Sequence, residues 1–403
     1  MATLVRNNFC IAPFNQITFS PLGNFSPCPE IGGRPWINPD GNILKMWSSE
    51  NFEKLRSSFL NNEKNSICNR CWAQEELGQG SLRKRLLVNS TAGVPKFKPG
   101  ELVPFLDHHH KIGPQQINIM VGNKCNLRCR SCYVRSSITY KKEGQYYQEK
   151  NNLKSSIYYI ENLKPTEFSD EQIDQIFQLS GNVGRIEFYG GEPLVDTKTL
   201  SLLQRYVDSG LSKNITLFYN TNGITPIKEV HYKLWSQFKS LEFNFSVDDI
   251  YDRFTYSRHP GKWDDWVKNL NFVRNYPWEI PVQVTAICTV GILNIYYVPE
   301  ILDKLDELNI KVFLNTIDIP NYYSIKCLPM AIKTAIKEKL NRYHSKTRIN
   351  FFLNYLDCDE DLSIWEDFKF WTKEKDEYRK ENFSITYPEF YKIIKDYDPT
   401  FTY

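Results

Sequence analysis

Between residues 116 and 316 the chain alternates between short apolar runs and amphipathic stretches, and this alternation limits the folds open to it. The runs lie at 116–121, 185–189, 215–219, 241–247, 282–289 and 311–316. Several are rich in β-branched and aromatic residues, as buried parallel strands are. One intervening helix is expected to begin at Ser169, with Gln172 completing a capping box and Ile173, Ile176 and Phe177 forming its apolar stripe. Another begins near Pro299 and carries Ile301, Leu302, Leu305 and Leu308 on one face. A row of β–α units predicts a parallel sheet with helices outside it. A partial (β/α)6 barrel of the TIM type and a doubly wound sheet both satisfy the pattern. In either, function belongs at the C-terminal ends of the strands.

The flanks read differently. Residues 1–100 are rich in Cys, Pro, Gly and Asn, with one readable helix over 49–60 whose apolar face is Phe52, Leu55, Phe59 and Leu60. The stretch 95–100, Pro-Lys-Phe-Lys-Pro-Gly, reads as a linker. Residues 136–168 form a polar insertion, either a lid or a surface excursion. Residues 326–403 read as a helical, aromatic extension. The domain division expected is therefore 1–100, a barrel over 110–325, and 326–403.

A formal net charge of +3 over 403 residues gives no footprint for nucleic acid or a membrane surface. No apolar run is long enough to span a bilayer, and the first residues lack a signal-peptide pattern. A cytoplasmic setting is expected, where thiols stay reduced. Ten cysteines then need a reason, and their close spacing points to metal.

Directly after the first barrel strand stands Cys125-Asn-Leu-Arg-Cys129-Arg-Ser-Cys132. Thiolates are the soft ligands that iron–sulfur clusters require. This spacing lets one loop hold three irons of a cubane and leaves the fourth open for a ligand. A zinc knuckle that borrows a fourth ligand is the alternative. At the end of the second strand stands Tyr189-Gly190-Gly191-Glu192-Pro193, where glycines permit close backbone approach and a carboxylate can accept from an ammonium.

The C-x3-C-x2-C loop resembles that of the radical S-adenosylmethionine (SAM) superfamily. The resemblance implies that SAM chelates the open iron of a 4Fe–4S cluster held by Cys125, Cys129 and Cys132. It implies reductive cleavage of SAM to a 5′-deoxyadenosyl radical, which abstracts hydrogen from a substrate. It also places the SAM amino group at Gly190, Gly191, Glu192 and Pro193. Ser131 departs from the superfamily, which often has an aromatic or apolar residue near the adenine there; Tyr133 follows the third cysteine and is the candidate instead. Polar residues at later strand ends are similar to those that touch the ribose and methionyl carboxylate: Asn222, Ser246 and Arg258.

Cys10, Gly23 and Cys28, in a C-x12-G-x4-C pattern, are followed by Cys68-Asn-Arg-Cys71. Four thiolates can complete a 4Fe–4S or a zinc site. The pattern, with Gly41-Asn-Ile-Leu-Lys-Met-Trp-Ser-Ser, resembles SPASM and twitch modules, which carry auxiliary clusters, although here it precedes the barrel. The overall expectation is a partial barrel with an N-terminal Cys-rich iron–sulfur module and a C-terminal helical extension.

His108, His109 and His110 read as a solvated linker. Cys327 and Cys358 read as isolated thiols. Cys288, near the end of the fifth barrel strand, is a speculative hydrogen donor to a substrate radical, by analogy with some peptide epimerases. The expected substrate is a peptide or protein, and the expected reductant is a flavodoxin or ferredoxin. The alternatives are the same chemistry on a nucleotide, sugar or small metabolite, or a non-catalytic metal-stapled binding or electron-transfer protein.

Overall fold

The computed structural model describes residues 8–31, 36–38, 41–88, 113–153 and 157–402. The linker at 95–100 and His108–His110 lie outside the described residues. Nine strands form one sheet: β1 (Gln16–Phe19), β2 (Asn24–Ser26), β3 (Trp36–Ile37), β4 (Gln116–Met120), β5 (Arg185–Tyr189), β6 (Thr216–Thr221), β7 (Ser240–Ser246), β8 (Val282–Val290) and β9 (Val312–Thr316). Strands β4 to β9 pair in chain order, all parallel, and are the six expected from the alternation. The capping box at Ser169 and Gln172 is present. The helix at Pro299 runs Val298–Glu307.

Side chains alternate across the parallel strands. One face carries Ile117, Ile119, Ile186, Phe188, Leu217, Tyr219, Leu241 and Phe243, all buried in one core with the covering helices. The other face is polar and lines the lumen. In-register neighbours place Gln16, Gln116 and Arg185 at one level, then Thr18, Asn118, Glu187, Phe218, Glu242 and Gln283 at the next. Asn220, Asn244 and Thr285 stand one level higher.

The N-terminal cysteine-rich segment does not form a module apart from the barrel. Strand β1 pairs in parallel with β4, and β2 and β3 continue the sheet antiparallel. An open parallel sheet leaves an edge of unpaired backbone groups, and Gln-Ile-Thr-Phe covers it while adding Ile17 and Phe19 to the core. The same segment reaches the opposite edge: Gln79 accepts from Thr316 of β9 at 3.3 Å, and Arg70 pairs with Asp318 at 3.2 Å. It thus touches both ends of the six-stranded run.

The insertion is a packed element. Its helix, Tyr140–Asn151, buries Tyr140, Glu143, Gly144 and Tyr147, and a Cβ on Gly144 would lie 1.8 Å from the Tyr158 carbonyl. Tyr146 and Tyr147 pack edge-on or tilted against Tyr378 and Trp371 of the C-terminal helix Leu362–Arg379. Among the described residues, no helix is long and apolar enough to cross a membrane.

Candidate radical SAM site

The loop after β4 is fastened at nearly every residue. Cys132 N–H donates to the Cys129 carbonyl at 2.9 Å, and Leu127 N–H donates to Cys125 Sγ at 3.4 Å. The Leu127 carbonyl accepts from Ser137 and Thr139 at 2.6 and 3.0 Å. Arg128 and Arg130 donate their backbone N–H groups to His259 and Ser257 at 2.6 and 2.8 Å. These bonds hold three thiols close enough to act on one another electrostatically. Burial, with Cys129 next, raises Cys125 well above the ordinary thiol range. The same causes push Cys132 up to about 12.

Gly190 and Gly191 serve this loop. Gly191 N–H donates to the Gly122 carbonyl at 2.9 Å, and Glu192 N–H to the Lys124 carbonyl at 2.8 Å. A Cβ on Gly191 would lie 2.2 Å from the Lys124 carbonyl oxygen, and Gly190 has φ +100°. The close approach that requires glycine is therefore to the backbone next to Cys125. The Glu192 carboxylate is fully buried and accepts from Leu194 N–H at 3.0 Å, Thr221 Oγ1 at 2.8 Å and Asn222 N–H at 2.7 Å. It ties the end of β5 to the end of β6, with burial raising its pKa against those bonds.

Asn222 joins this frame from β6, donating through Nδ2 to Asn126 Oδ1 of the cysteine loop at 2.7 Å. Ser246 ends β7, its carbonyl held by Trp266 Nε1 at 3.1 Å. Arg258 is buried beside the thiols, where its charge favours the thiolate of Cys129. One guanidinium arm donates to Asp248 at 2.7 Å, while its buried Nε has no hydrogen-bond partner among the described residues. Tyr133 closes the loop, its carbonyl accepting from Ser136 and Ser137.

Cys288 is placed elsewhere. It lies on the helix-facing side of β8, fully buried in the core, with Sγ 3.9 Å from the Asp248 carbonyl. The strand's alternation turns it away from the lumen, so the hydrogen-donor role is corrected. Cys327 is also buried, and Cys358 is partly exposed near the Asn354 carbonyl.

The three loop thiols, the open lumen and the polar strand ends meet the requirements of one known domain. Residues 119–305 match the family model described as the radical SAM superfamily. Residues 119–305 are a radical SAM domain. The match supports SAM-dependent catalysis and implies a SAM-binding 4Fe–4S cluster. A relative, the radical SAM cyclopropyl synthase TigE of Paramaledivibacter caminithermalis, is 34% identical over 118 residues, covering 27% of this chain and 23% of its own. The match thus spans about a quarter of that relative's length. Solved structures that align include anSMEcpe with bound AdoMet, at 18% identity and TM-score 0.40, over 58% of this chain and 62% of that one. Streptococcus suis SuiB bound to precursor peptide SuiA aligns at 13% identity and TM-score 0.38, over 82% and 69%.

Four further thiols gather outside the radical SAM domain. Cys10, Cys28, Cys68 and Cys71 line one cavity, with Ile31, Leu82, Leu86 and Arg83 among its walls. Burial raises all four thiols, Cys68 to about 12.

The sequence gives no role to the lumen residues Arg185, Glu187 and Glu242, and Tyr189 enters it only as the start of the 189–193 motif. Arg185 donates to Glu187 at 2.5 Å and to Glu242 at 2.9 Å, and Tyr189 donates to Glu187. The signal was present in Arg-Ile-Glu-Phe-Tyr, where polar groups recur at every second position of a strand otherwise read as apolar.

Proposed function

We propose that this chain is a radical SAM enzyme acting on a peptide or protein, with its reactive 4Fe–4S cluster at Cys125, Cys129 and Cys132. The observation that carries the reading is the coincidence of the radical SAM match with three mutually interacting thiols on one loop after β4. With cluster and SAM bound, the chemistry supplied is reductive cleavage to a 5′-deoxyadenosyl radical that abstracts hydrogen from the substrate. The residues present fit those groups: the thiols are soft ligands, and the unpartnered Nε of buried Arg258 is a donor suited to a carboxylate. The 190–193 turn, held by Glu192, would receive the SAM amine; Asn222 and Ser246 would serve the ribose and Tyr133 the adenine.

The lumen is the place for the substrate. Its walls carry the carboxamides of Gln16, Gln116, Asn118, Asn220 and Asn244, on the levels beneath the strand ends. Gln16 is 1% exposed, and neither its amide nitrogen nor its oxygen has a protein partner. A carboxamide offers one donor side and one acceptor, which matches a peptide group. Gln116 donates to Asn118, Asn118 to Thr18 and Asn244 to Asn220, so these carboxamides form a polar wall compatible with a peptide. An external one-electron donor of the flavodoxin or ferredoxin kind completes the reaction.

Cys10, Cys28, Cys68 and Cys71 are assigned to an auxiliary 4Fe–4S cluster. Four thiols that line one cavity can complete the ligand set of such a cluster, and zinc is the alternative occupant.

The test is anaerobic reconstitution of the full chain, reduction, addition of SAM and detection of 5′-deoxyadenosine by mass spectrometry. Product is expected from the wild type and none from Cys129→Ala. A fully iron-loaded wild type that forms none sinks the proposal. A mass change on a co-incubated peptide identifies the substrate.

A further inference from the structure

The cysteine loop is gripped from behind by parts of the chain that lie far from it in sequence. Arg130, between the second and third cysteines, is fully buried. Its Nη2 donates to Asp376 and to Glu381, the latter at 2.5 Å, and its Nε to the Tyr256 carbonyl at 3.1 Å. The guanidinium lies over the Tyr256 ring at 3.5 Å. Lys375 donates to the Arg130 carbonyl at 3.2 Å and to Tyr158 at 2.7 Å.

Two further ties reach the loop. Tyr140 donates to the Cys129 carbonyl at 2.5 Å and accepts from Arg379 at 3.3 Å. Arg379 donates to Glu143 at 2.8 Å, and both side chains are fully buried. His259 Nδ1 stands 2.7 Å from Glu381, and its Nε2 stands 3.0 Å from Arg128 Nη2. A guanidinium can only donate, so Nε2 accepts and the proton sits on Nδ1, pointing at Glu381.

We infer that Arg130, Tyr140, Arg379 and Glu381 are positioning residues for the radical SAM cluster, with the C-terminal segment 374–381 and the insertion helix closing as a clasp on the cysteine loop. This rests on the cluster assignment to that loop. The clasp does two things that a surface extension cannot. It fixes the carbonyls of Cys129 and Arg130, and so the direction of the thiols on either side. It also sets buried charges beside the site: the Arg379 guanidinium donates to Tyr140, whose hydroxyl donates to the Cys129 carbonyl. A buried ion network of this kind is costly to desolvate, and its retention is understandable where geometry has to be held to fractions of an ångström.

The experiment uses the reconstituted full chain and two variants of opposite charge change. The readouts are the cluster's midpoint potential, from spectroscopically monitored redox titration, and the rate of iron loss to a chelator. Arg379→Gln removes a positive charge and is expected to lower the potential. Glu381→Gln removes a negative charge and is expected to raise it. Shifts of the same sign, or no shift in either, overturn the inference, because a purely structural role has no reason to follow charge. Arg379→Gln removes the closest cation from buried Glu143, leaving it Tyr147 at 2.7 Å and Arg128 at 3.4 Å, and can fail to fold. Tyr140→Phe deletes a single hydroxyl and stands in for it: severalfold faster iron loss with an unchanged far-ultraviolet spectrum supports the clasp, and wild-type iron retention overturns it. A wild-type chain that takes up no cluster at the Cys125 loop defeats the functional reading instead, and the two failures are thereby told apart.

Discussion

The two groups of cysteines are surrounded in opposite ways. Around Cys125, Cys129 and Cys132 the neighbours are buried ions and hydrogen-bonding side chains: Arg130, Arg258, Arg379, Glu143, Glu192 and Asp248. Around Cys10, Cys28, Cys68 and Cys71 they are mostly Phe9, Ile11, Phe14, Leu55, Phe59 and Trp72, an apolar cluster, with Glu30 and Arg83 as the charged residues in the cavity wall. Charge at a metal site tunes potential and orients a ligand, whereas apolar packing excludes water and holds chain segments together. The first group has the surroundings of a reacting centre, and the second those of a staple.

The largest effect should separate the two directly. Cys129→Ala should abolish 5′-deoxyadenosine formation and remove about half the bound iron, leaving the N-terminal half. Cys28→Ser should remove the other half and lower the melting temperature, yet leave the spectral response of the reduced cluster to SAM. Iron and sulfide counting with electron paramagnetic resonance reads both. If Cys28→Ser erased the SAM response while Cys129→Ala kept it, the comparison would be inverted.

A second, smaller effect concerns the free arm of Arg258. Replacing a charge-assisted hydrogen bond costs about 1.5–3 kcal/mol, or ~10- to 100-fold in affinity. Arg258→Met should weaken SAM binding by that order while the cluster still assembles. Equal SAM affinity in both proteins removes Arg258 from the site.

Third comes the Glu192 frame. Glu192→Gln places an amide nitrogen against a backbone or hydroxyl donor, so one of its hydrogen bonds is lost. The expected loss is about 1–3 kcal/mol of stability, measured by denaturant unfolding of the apo chain. No comparable penalty should follow from a polar substitution at Glu30, which is partly exposed at the N-terminal cavity. Similar losses at both positions would erase the contrast between the two surroundings.

Much of the fold and of the cysteine loop is legible in the sequence. The strands from β4 to β9 follow from apolar runs, and the Ser169 cap from local spacing, because both signals are confined to a few neighbouring residues. The three loop cysteines are equally local. What could not be read is what depends on distant pairing. Arg130 and Asp376 are separated by 246 positions, and either alone looks like an ordinary solvated charge. Lys150 and Arg379 sit in polar helices whose hydrophobic pattern is weak, so the insertion reads as either a lid or a surface excursion and the C-terminal helices carry no assignment. Strand β1 is four residues long and sits among Pro, Gly and Asn, and its place in the sheet is set by the free edge of β4.

The smallest prediction tests whether the charged surroundings carry the protein's pH dependence. Asp248 faces Arg258, while its neighbour Asp249 turns into the core, fully buried, accepting from Ile250 N–H and Arg253 Nε, each at 2.9 Å. Burial, only partly offset by Arg253, raises its pKa to about 7. An unfolded aspartate titrates near ~3.9. Between those values the folded chain binds a proton that the unfolded chain does not, so stability falls as pH rises from about 4 to about 7 and levels off above. Asp249→Asn cannot titrate, so the difference in melting temperature between wild type and variant should shrink or reverse across that window and stay flat beyond it. A difference that is constant from pH 4 to 8 would show that Asp249 is ionised in the folded chain throughout. The cost of the charged surroundings would then have to lie with other groups around the cysteine loop.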